Sequence, residues 1–149
     1  MDRTMITPER LAQCDFFARM EPATLEALAP QVSVEERKAG ETVFEEGSPG
    51  DRLYVIERGR LEVVKGEITG TQRPLAELRA GHVVGEMAVM DLRPRSATVR
   101  AISDATLLVI TRQALLQLME ENPVAAAEVL VGVAHALSER LRLCSPHLK

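Results

Sequence analysis

Two short runs in the middle of the sequence contain the residue types that bind an anion. In the run Gly85-Glu86-Met87-Ala88, the glycine permits a turn that a side chain would obstruct, and the following residues can form one helical turn. The first N–H groups of such a turn have no partner and attract phosphate. Further along, Arg95 follows a proline and precedes Ser96, so a guanidinium fork and a hydroxyl can bind phosphate oxygens together. These two runs predict a phosphate site.

Glu86 indicates what else the ligand carries. A carboxylate beside a phosphate repels it unless the carboxylate accepts a hydrogen bond from the ligand. A sugar hydroxyl is the obvious donor. A phosphate together with a sugar hydroxyl is typical of a ribonucleotide.

The same residues carry a resemblance to a known family. Gly85-Glu86-x-Ala88 followed by Pro94-Arg95-Ser96-Ala97-Thr98 is similar to the phosphate-binding cassette of the cyclic nucleotide-binding domain family. That family includes catabolite-activator regulators, regulatory subunits of protein kinase A and cyclic-nucleotide-gated channels. The glycine pattern agrees with the family over roughly residues 15 to 143. A glycine turn beside a surface salt bridge is the alternative, but it does not explain why the Gly-Glu pair and the arginine motif occur together.

The resemblance implies a role for each residue of the cassette. The phosphate is expected under the Gly85-Glu86 turn, where Met87 and Ala88 contribute backbone N–H groups, and the last helix is expected to close over the base. Arg140 lies on that helix and is a candidate for contact with the purine face, although a solvated helix residue is the alternative for it and for His135. The candidate ligand-binding residues are Gly85, Glu86, Met87, Ala88, Arg95, Ser96, Ala97 and Arg140.

Helices are predicted at the start of the chain, over about residues 7–29. Thr7 as the N-cap and Pro8 at the first helical position indicate a helix start, and we expect this helix to continue towards Phe17. A second short helix is predicted over residues 21–29 from its apolar residues at i, i+3 spacing.

The middle of the chain, about residues 31–111, changes to a period of two. About eight short strands separated by glycine turns favour an antiparallel roll or barrel, and the interleaved helices of a parallel α/β fold are missing. We expect residues 32–34 and 42–44 to form the first strand pair, Arg58-Gly59-Arg60 to form a tight hairpin, and residues 66–71 to form a polar loop. With the resemblance, the predicted fold class is mainly β with flanking α. It is an eight-stranded antiparallel, jelly-roll-like β-roll with N-terminal helices and two C-terminal helices.

The C-terminal helices are expected over about residues 112–143. Thr111 is a plausible cap for the first, and Asn122-Pro123 ends it and starts the second. Apolar residues on more than one side of the last helix suggest two packing surfaces, one on the roll and one on a partner chain. We therefore expect a homodimer whose contact includes Leu130, Ala134 and Leu137 or their neighbours. An alanine-rich helix packed only on its own domain is the alternative.

Composition limits the possible functions. With 149 residues and 46% hydrophobic content, we expect a single domain over residues 1–149. We expect no nucleic-acid partner, because the net charge is −4 and the sequence has no basic run. The given sequence also stops at Lys149 without a helix-turn-helix. No apolar run is long enough for a membrane span. Cys14 and Cys144 lack metal-ligand spacing and are expected to be free thiols of a cytoplasmic protein without a metal.

The predicted function is that of a regulatory sensor rather than an enzyme, since no catalytic set of residues is visible. The expected ligand is cAMP, and cGMP is possible because a hydroxyl at Ser96 excludes neither base. The sensor is expected to signal by conformational change to an effector protein or domain that the sequence does not identify. Two alternatives stay open. One is a protein-interaction or dimerisation module that keeps the fold but uses no pocket, and the other is a sensor of another phosphate ligand such as cyclic di-GMP.

Overall fold

The structure, a computed structural model, describes residues 5–66 and 70–144, with side chains as far as Arg140. Short helices come first, eight strands follow with one small helix among them, and two helices end the chain. The elements are α1 Pro8–Ala12, α2 Pro22–Leu28, β1 Ser33–Arg37, β2 Thr42–Phe44, β3 Arg52–Arg58, β4 Arg60–Gly66, β5 Gln72–Arg79, β6 Val83–Val84, α3 Ala88–Asp91, β7 Thr98–Ala101, β8 Ala105–Thr111, α4 Arg112–Glu121 and α5 Pro123–Cys144; a 3-10 turn, Ala29–Gln31, follows α2.

The eight strands form two four-stranded antiparallel sheets, in the orders β1-β8-β3-β6 and β2-β7-β4-β5. This arrangement confirms the predicted antiparallel roll with helices at both ends. The two expected local pairings are wrong. Residues 33–34 and 42–44 lie in different sheets, because β1 pairs with β8 while β2 pairs with β7. Gly59 does not close a hairpin either, since β3 and β4 belong to different sheets.

Two of the central strands are buried on both faces. In β3, Leu53 and Val55 pack with the helices, whereas Tyr54 and Ile56 face the core between the sheets. Successive side chains of a strand point to opposite faces, so a strand covered on both sides is an unbroken apolar run. The side chains of β8 alternate in the same way, so this strand also contacts both the core under the helices and the core between the sheets. The loops of the roll therefore extend from strands that are packed on both faces.

The helices begin where the sequence predicts. The hydroxyl of Thr7 accepts a hydrogen bond from Arg10 N (3.1 Å), and that of Thr111 accepts one from Ala114 N (3.0 Å). The helix α1 is shorter than expected, because it ends at Ala12 and turns occupy the residues up to Phe17. Half of the predicted loop at residues 66–71, residues 67–69, lies outside the described residues.

The first turns of the helix α5 are hydrogen-bonded to the N-terminal end of α2. The carboxylate of Glu128 accepts hydrogen bonds from Glu21 N (3.1 Å) and from the Thr24 hydroxyl. Because Thr24 is buried, this contact satisfies polar groups that the α2 N-terminus would otherwise leave unpaired. None of the helices within residues 5–66 and 70–144 has the length and apolar character needed to cross a membrane.

Candidate functional site

The turn after β6 requires glycine for two reasons. Gly85 has φ +77, a backbone conformation that side chains disfavour. A Cβ at this position would also lie 2.6 Å from Arg95 Nη1. The turn then leads into α3 through a hydrogen bond from Ala88 N to Gly85 O (3.2 Å). The amide of Ala88 is therefore already used within the turn, whereas Met87 N, the other predicted backbone donor, has no backbone partner among the described residues.

The loop that carries Arg95 is fastened to the turn between β2 and β3. Arg95 N donates to Ser48 O (2.8 Å), and Gly47 N donates to Arg95 O (2.8 Å). Gly50 in the same turn leaves room for the side chain, since a Cβ there would lie 2.4 Å from Arg95 Nε. The loop begins at Leu92, which is in the left-handed region at φ 57.

The Arg95 guanidinium is buried, with 7% of the residue exposed. It donates to Gly85 O (3.2 Å) and Arg52 O (3.0 Å), and its carbon lies 4.0 Å from the centre of the Phe44 ring. Burial lowers the pKa of this guanidinium. The oppositely charged Glu86 lines the same cavity. No ion pair joins the two residues in the described part of the chain, and backbone carbonyls and an aromatic face hold Arg95 instead.

Glu86 is paired with the last helix. It is 2% exposed, and its Oε1 accepts a hydrogen bond from Arg140 Nη1 (2.5 Å). The second terminal nitrogen of Arg140 donates to Val83 O, so one guanidinium bridges the carboxylate and the strand that precedes it. Arg140 therefore contacts the cassette through Glu86, and this contact was not predicted from the sequence.

Two buried side-chain atoms in the described residues have no hydrogen-bond partner, and both belong to this site. They are Glu86 Oε2 and Arg95 Nε. Both residues line one cavity of about 270 Å³, at whose wall Ser96 is exposed and Ala97 is buried. A buried unpaired acceptor and a buried unpaired cationic donor each cost free energy unless a ligand satisfies them. The cavity is therefore suited to a ligand that has both an anionic oxygen and a hydroxyl.

A larger cavity of about 740 Å³ lies on the other side of Arg140, between the turns after α1 and the α5 helix. Phe16, Met20 and Val131 give it an apolar wall. Neither of the two buried unpaired atoms found among the described residues belongs to its wall, so the smaller cavity is the better candidate for recognition of a charged ligand. Within the described residues, no group of three His, Cys, Asp or Glu side chains is placed to hold a metal ion.

The structure brings all eight predicted residues to the wall of the smaller cavity. It adds Phe44 to this wall, while Gly50 and Arg52 contact Arg95 without lining the cavity. Gly50 lies in a run of turn-forming residues, and a glycine there had no signal beyond turn formation. The contact between Phe44 and Arg95 spans 51 positions of the chain, and only the fold reveals it.

The two-sheet roll thus carries a glycine turn and a buried arginine at one cavity, which is the arrangement of a binding domain for a small anionic ligand. The comparison with protein families agrees, because the sequence model of the cyclic nucleotide-binding domain matches residues 34–122. The chain belongs to the cyclic nucleotide-binding domain family. It is a sensor domain of the type found in catabolite-activator regulators and in protein kinase A regulatory subunits.

Relatives of this chain include regulators named for cAMP. It is 29% identical over 140 residues to the CRP-like cAMP-activated global transcriptional regulator of Mycobacterium tuberculosis, covering 94% of this chain and 61% of the regulator. It is 32% identical over 100 residues to the cyclic AMP receptor protein of Thermus thermophilus, covering 67% of this chain and 46% of that protein. A cyclic nucleotide-binding domain from Methylobacillus flagellatus superposes with a TM-score of 0.83 at 26% identity, covering 95% of this chain and 79% of that one. The chain thus spans less than two thirds of the two regulators.

Proposed function

We propose that this chain is a regulatory module that binds cAMP at least as well as cGMP and passes the binding event to its last helix. One observation carries the proposal: Glu86 Oε2 and Arg95 Nε are both buried and unpaired, and their side chains line one cavity. The phosphate of a cyclic nucleotide satisfies Arg95, and the 2′-hydroxyl of its ribose satisfies Glu86. The names of the relatives support cAMP as the ligand.

The size of the cavity supports a mononucleotide over a cyclic dinucleotide. At about 270 Å³ it lies just below the range of about 300–1,000 Å³ that is typical of small-molecule sites. A cyclic dinucleotide has twice as many bases, sugars and phosphates and fits this volume less well. Ser96 offers a hydroxyl that can contact phosphate, and it gives no strong preference between adenine and guanine.

Calorimetry with cAMP, cGMP and cyclic di-GMP tests the ligand, after a check that purification has left no nucleotide bound. We expect cAMP and cGMP to differ by only about 1 kcal/mol, the size of one modest hydrogen bond. A preference of several orders of magnitude for cGMP, or binding of cyclic di-GMP alone, would contradict the proposal. If no nucleotide binds, the chain is an interaction module that does not use its cavity.

Variants of the two charged residues test how the ligand is held. Arg95→Ala should weaken binding by about 2–4 kcal/mol, as expected when one partner of a desolvated charge pair is truncated. Arg100→Ala is the matched control, because Arg100 pairs with Glu62 (2.8 Å) on the outside of a sheet and does not line the cavity. Glu86→Gln should reduce the preference of the protein for cAMP over 2′-deoxy-cAMP, because an amide is a poorer acceptor for the hydroxyl. Equal binding of both ligands by the wild type would refute the role of Glu86.

The route from ligand to helix is proposed to be Arg140. Its guanidinium contacts Glu86, lines both cavities, and lies near the end of α5. A ligand hydroxyl that binds Glu86 therefore acts on a carboxylate that is already bonded to this helix. An effector domain or partner protein that reads the position of α5 would complete the signal.

The outer face of α5 favours assembly into a homodimer. Val124, Ala127, Val131 and Ala134 follow the 3-4 spacing of a coiled-coil seam, and Val124 and Val131 are 72% and 68% exposed. Of the three contact residues expected from the sequence, Ala134 is exposed and lies on this seam, whereas Leu130 and Leu137 are partly buried against the core of their own chain. Val131→Glu should convert the dimer to a monomer in sedimentation experiments, whereas Met119→Glu, at an exposed apolar position on α4 and outside this seam, should not. A protein that is already monomeric at high concentration would refute this assembly.

A further inference from the structure

Arg95 is a buried cation whose immediate neighbours carry no negative charge. No carboxylate lies within ion-pair distance of its guanidinium in the described part of the chain; the charges of Asp51 and Glu86 act on it from further away. Its two terminal nitrogens donate to backbone carbonyls, and its third nitrogen is unpaired. The remaining favourable contact is the face of the Phe44 ring, 4.0 Å from the guanidinium carbon.

The fold places Phe44 there by a local irregularity. The pairing of β2 with β7 shifts register between Thr42 and Phe44, so that β2 has one residue more than β7 over this stretch, as in a β-bulge. Bulges change the direction in which a side chain points. Val43 remains in the core between the sheets, while Phe44 is half-buried and lines the cavity. Its ring is further held by a stacked contact with Tyr54, at 6.0 Å between ring centres and 30° between planes.

We propose that Phe44 is a positioning residue that sets the plane of the Arg95 guanidinium and thereby determines how tightly the cavity holds a phosphate. The two carbonyls fix the direction of two N–H groups, but a flat ring against the guanidinium fixes the plane in which all of its donors lie. An aromatic face also attracts a desolvated cation. This inference rests on the proposed function for its phosphate ligand, but the contact between ring and guanidinium can be tested without any ligand.

Simple packing is the alternative role, because Phe44 also contacts the core between the sheets. Leucine would supply most of the apolar volume and no aromatic face, whereas tyrosine would keep the face. In calorimetry with cAMP, we expect Phe44→Leu to lose about tenfold in affinity and Phe44→Tyr to stay within about twofold of the wild type. Val43→Ala is the control, because it damages the core from the same strand without touching Arg95. If Val43→Ala loses as much affinity as Phe44→Leu, or if Phe44→Tyr loses as much, packing explains the effect and the proposal is overturned.

A second experiment uses the nucleotide-free protein. Urea unfolding of Phe44→Leu, Arg95→Gln and the double variant gives the coupling between the two side chains. We expect the unfolding equilibrium constants to show about fivefold coupling, as for a partly desolvated cation and ring. Additive effects would overturn the proposal. If the wild type binds no cyclic nucleotide but the coupling is present, the proposed function fails while the contact between Phe44 and Arg95 stands, so the two failures are distinguishable.

Discussion

The pair between Arg140 and Glu86 should be worth much more to the fold than an ordinary surface salt bridge. Glu86 is 2% exposed and Arg140 is the one hydrogen-bond partner of its carboxylate among the described residues, whereas the Arg140 side chain is 37% exposed. Replacing the arginine by methionine keeps the apolar stem and removes the charge, which leaves a buried carboxylate without a partner. Arg140→Met should therefore lower the free energy of unfolding.

The size of this loss in stability depends on how deeply each of the two side chains is buried. Breaking a fully buried pair costs about 3–5 kcal/mol, and an exposed pair contributes about 0–1 kcal/mol. Because the carboxylate is desolvated and the guanidinium reaches solvent, we expect Arg140→Met to cost about 2–3 kcal/mol. Glu86→Gln should cost less, because the amide oxygen can still accept from Arg140 and the guanidinium can be hydrated.

Urea unfolding followed by circular dichroism measures these changes. Arg100→Met is the matched control, since Arg100 and Glu62 form a partly exposed pair at 2.8 Å and its loss should cost under about 1 kcal/mol. The double variant of Glu86→Gln with Arg140→Met should be more stable than the sum of the single effects predicts. If Arg140→Met costs no more than Arg100→Met, the carboxylate is not held as the structure indicates, and the proposed route to the last helix fails.

Three further predictions concern other parts of the chain. Gly50→Ala should weaken cAMP binding about tenfold in calorimetry, because its Cβ would lie 2.4 Å from the guanidinium beside it; unchanged affinity would contradict this. Leu92→Asn should raise the free energy of unfolding by about 0.5–1 kcal/mol, because asparagine tolerates the left-handed conformation at φ 57, whereas Met90→Asn in the neighbouring helix should not. Burial raises the pKa of the Cys14 thiol to about 11, so the folded protein holds this proton more tightly than the unfolded chain. Stability should then fall as the pH rises from about 9 through 11, and a Cys14→Ala variant with the same slope would refute this cause.

The class of fold was predictable because burial leaves a periodic trace in the sequence. The strands β3 and β8 are covered on both faces and contain the unbroken apolar runs 53–56 and 107–110. The hydroxyls at Thr7 and Thr111 mark helix starts. Which strands pair was not predictable in the same way. Gly59 permits a sharp turn, but whether the chain then folds back or crosses to the other sheet depends on contacts with β7 and β8, far away in sequence.

In the candidate site too, the local motif was predictable from the sequence and the long-range contacts were not. The cassette motif identifies Glu86 and Arg95 because both lie in a short run whose residue types are fixed by chemistry. The partners of these charges come from elsewhere in the chain. Phe44 is 51 positions before Arg95, and Arg140 is 54 positions after Glu86. No local pattern shows whether the side chain of an arginine on a helix reaches a buried carboxylate or solvent. The sequence therefore suggested the purine face as the contact of Arg140, and not Glu86.

The two charges of the site are opposite in sign, yet the fold keeps them from neutralising each other. If Arg95 and Glu86 formed an ion pair, each would satisfy the other and a ligand would have to break that pair before it could bind. The protein instead gives Arg95 two carbonyls and a ring, and gives Glu86 the guanidinium of Arg140. Each residue is thereby held in place with one polar atom unpaired. Under the proposed function, a ligand with a phosphate and a hydroxyl meets both residues at once, whereas a ligand with only one of these groups meets only one of them; we propose this difference as the physical basis for selecting a cyclic ribonucleotide.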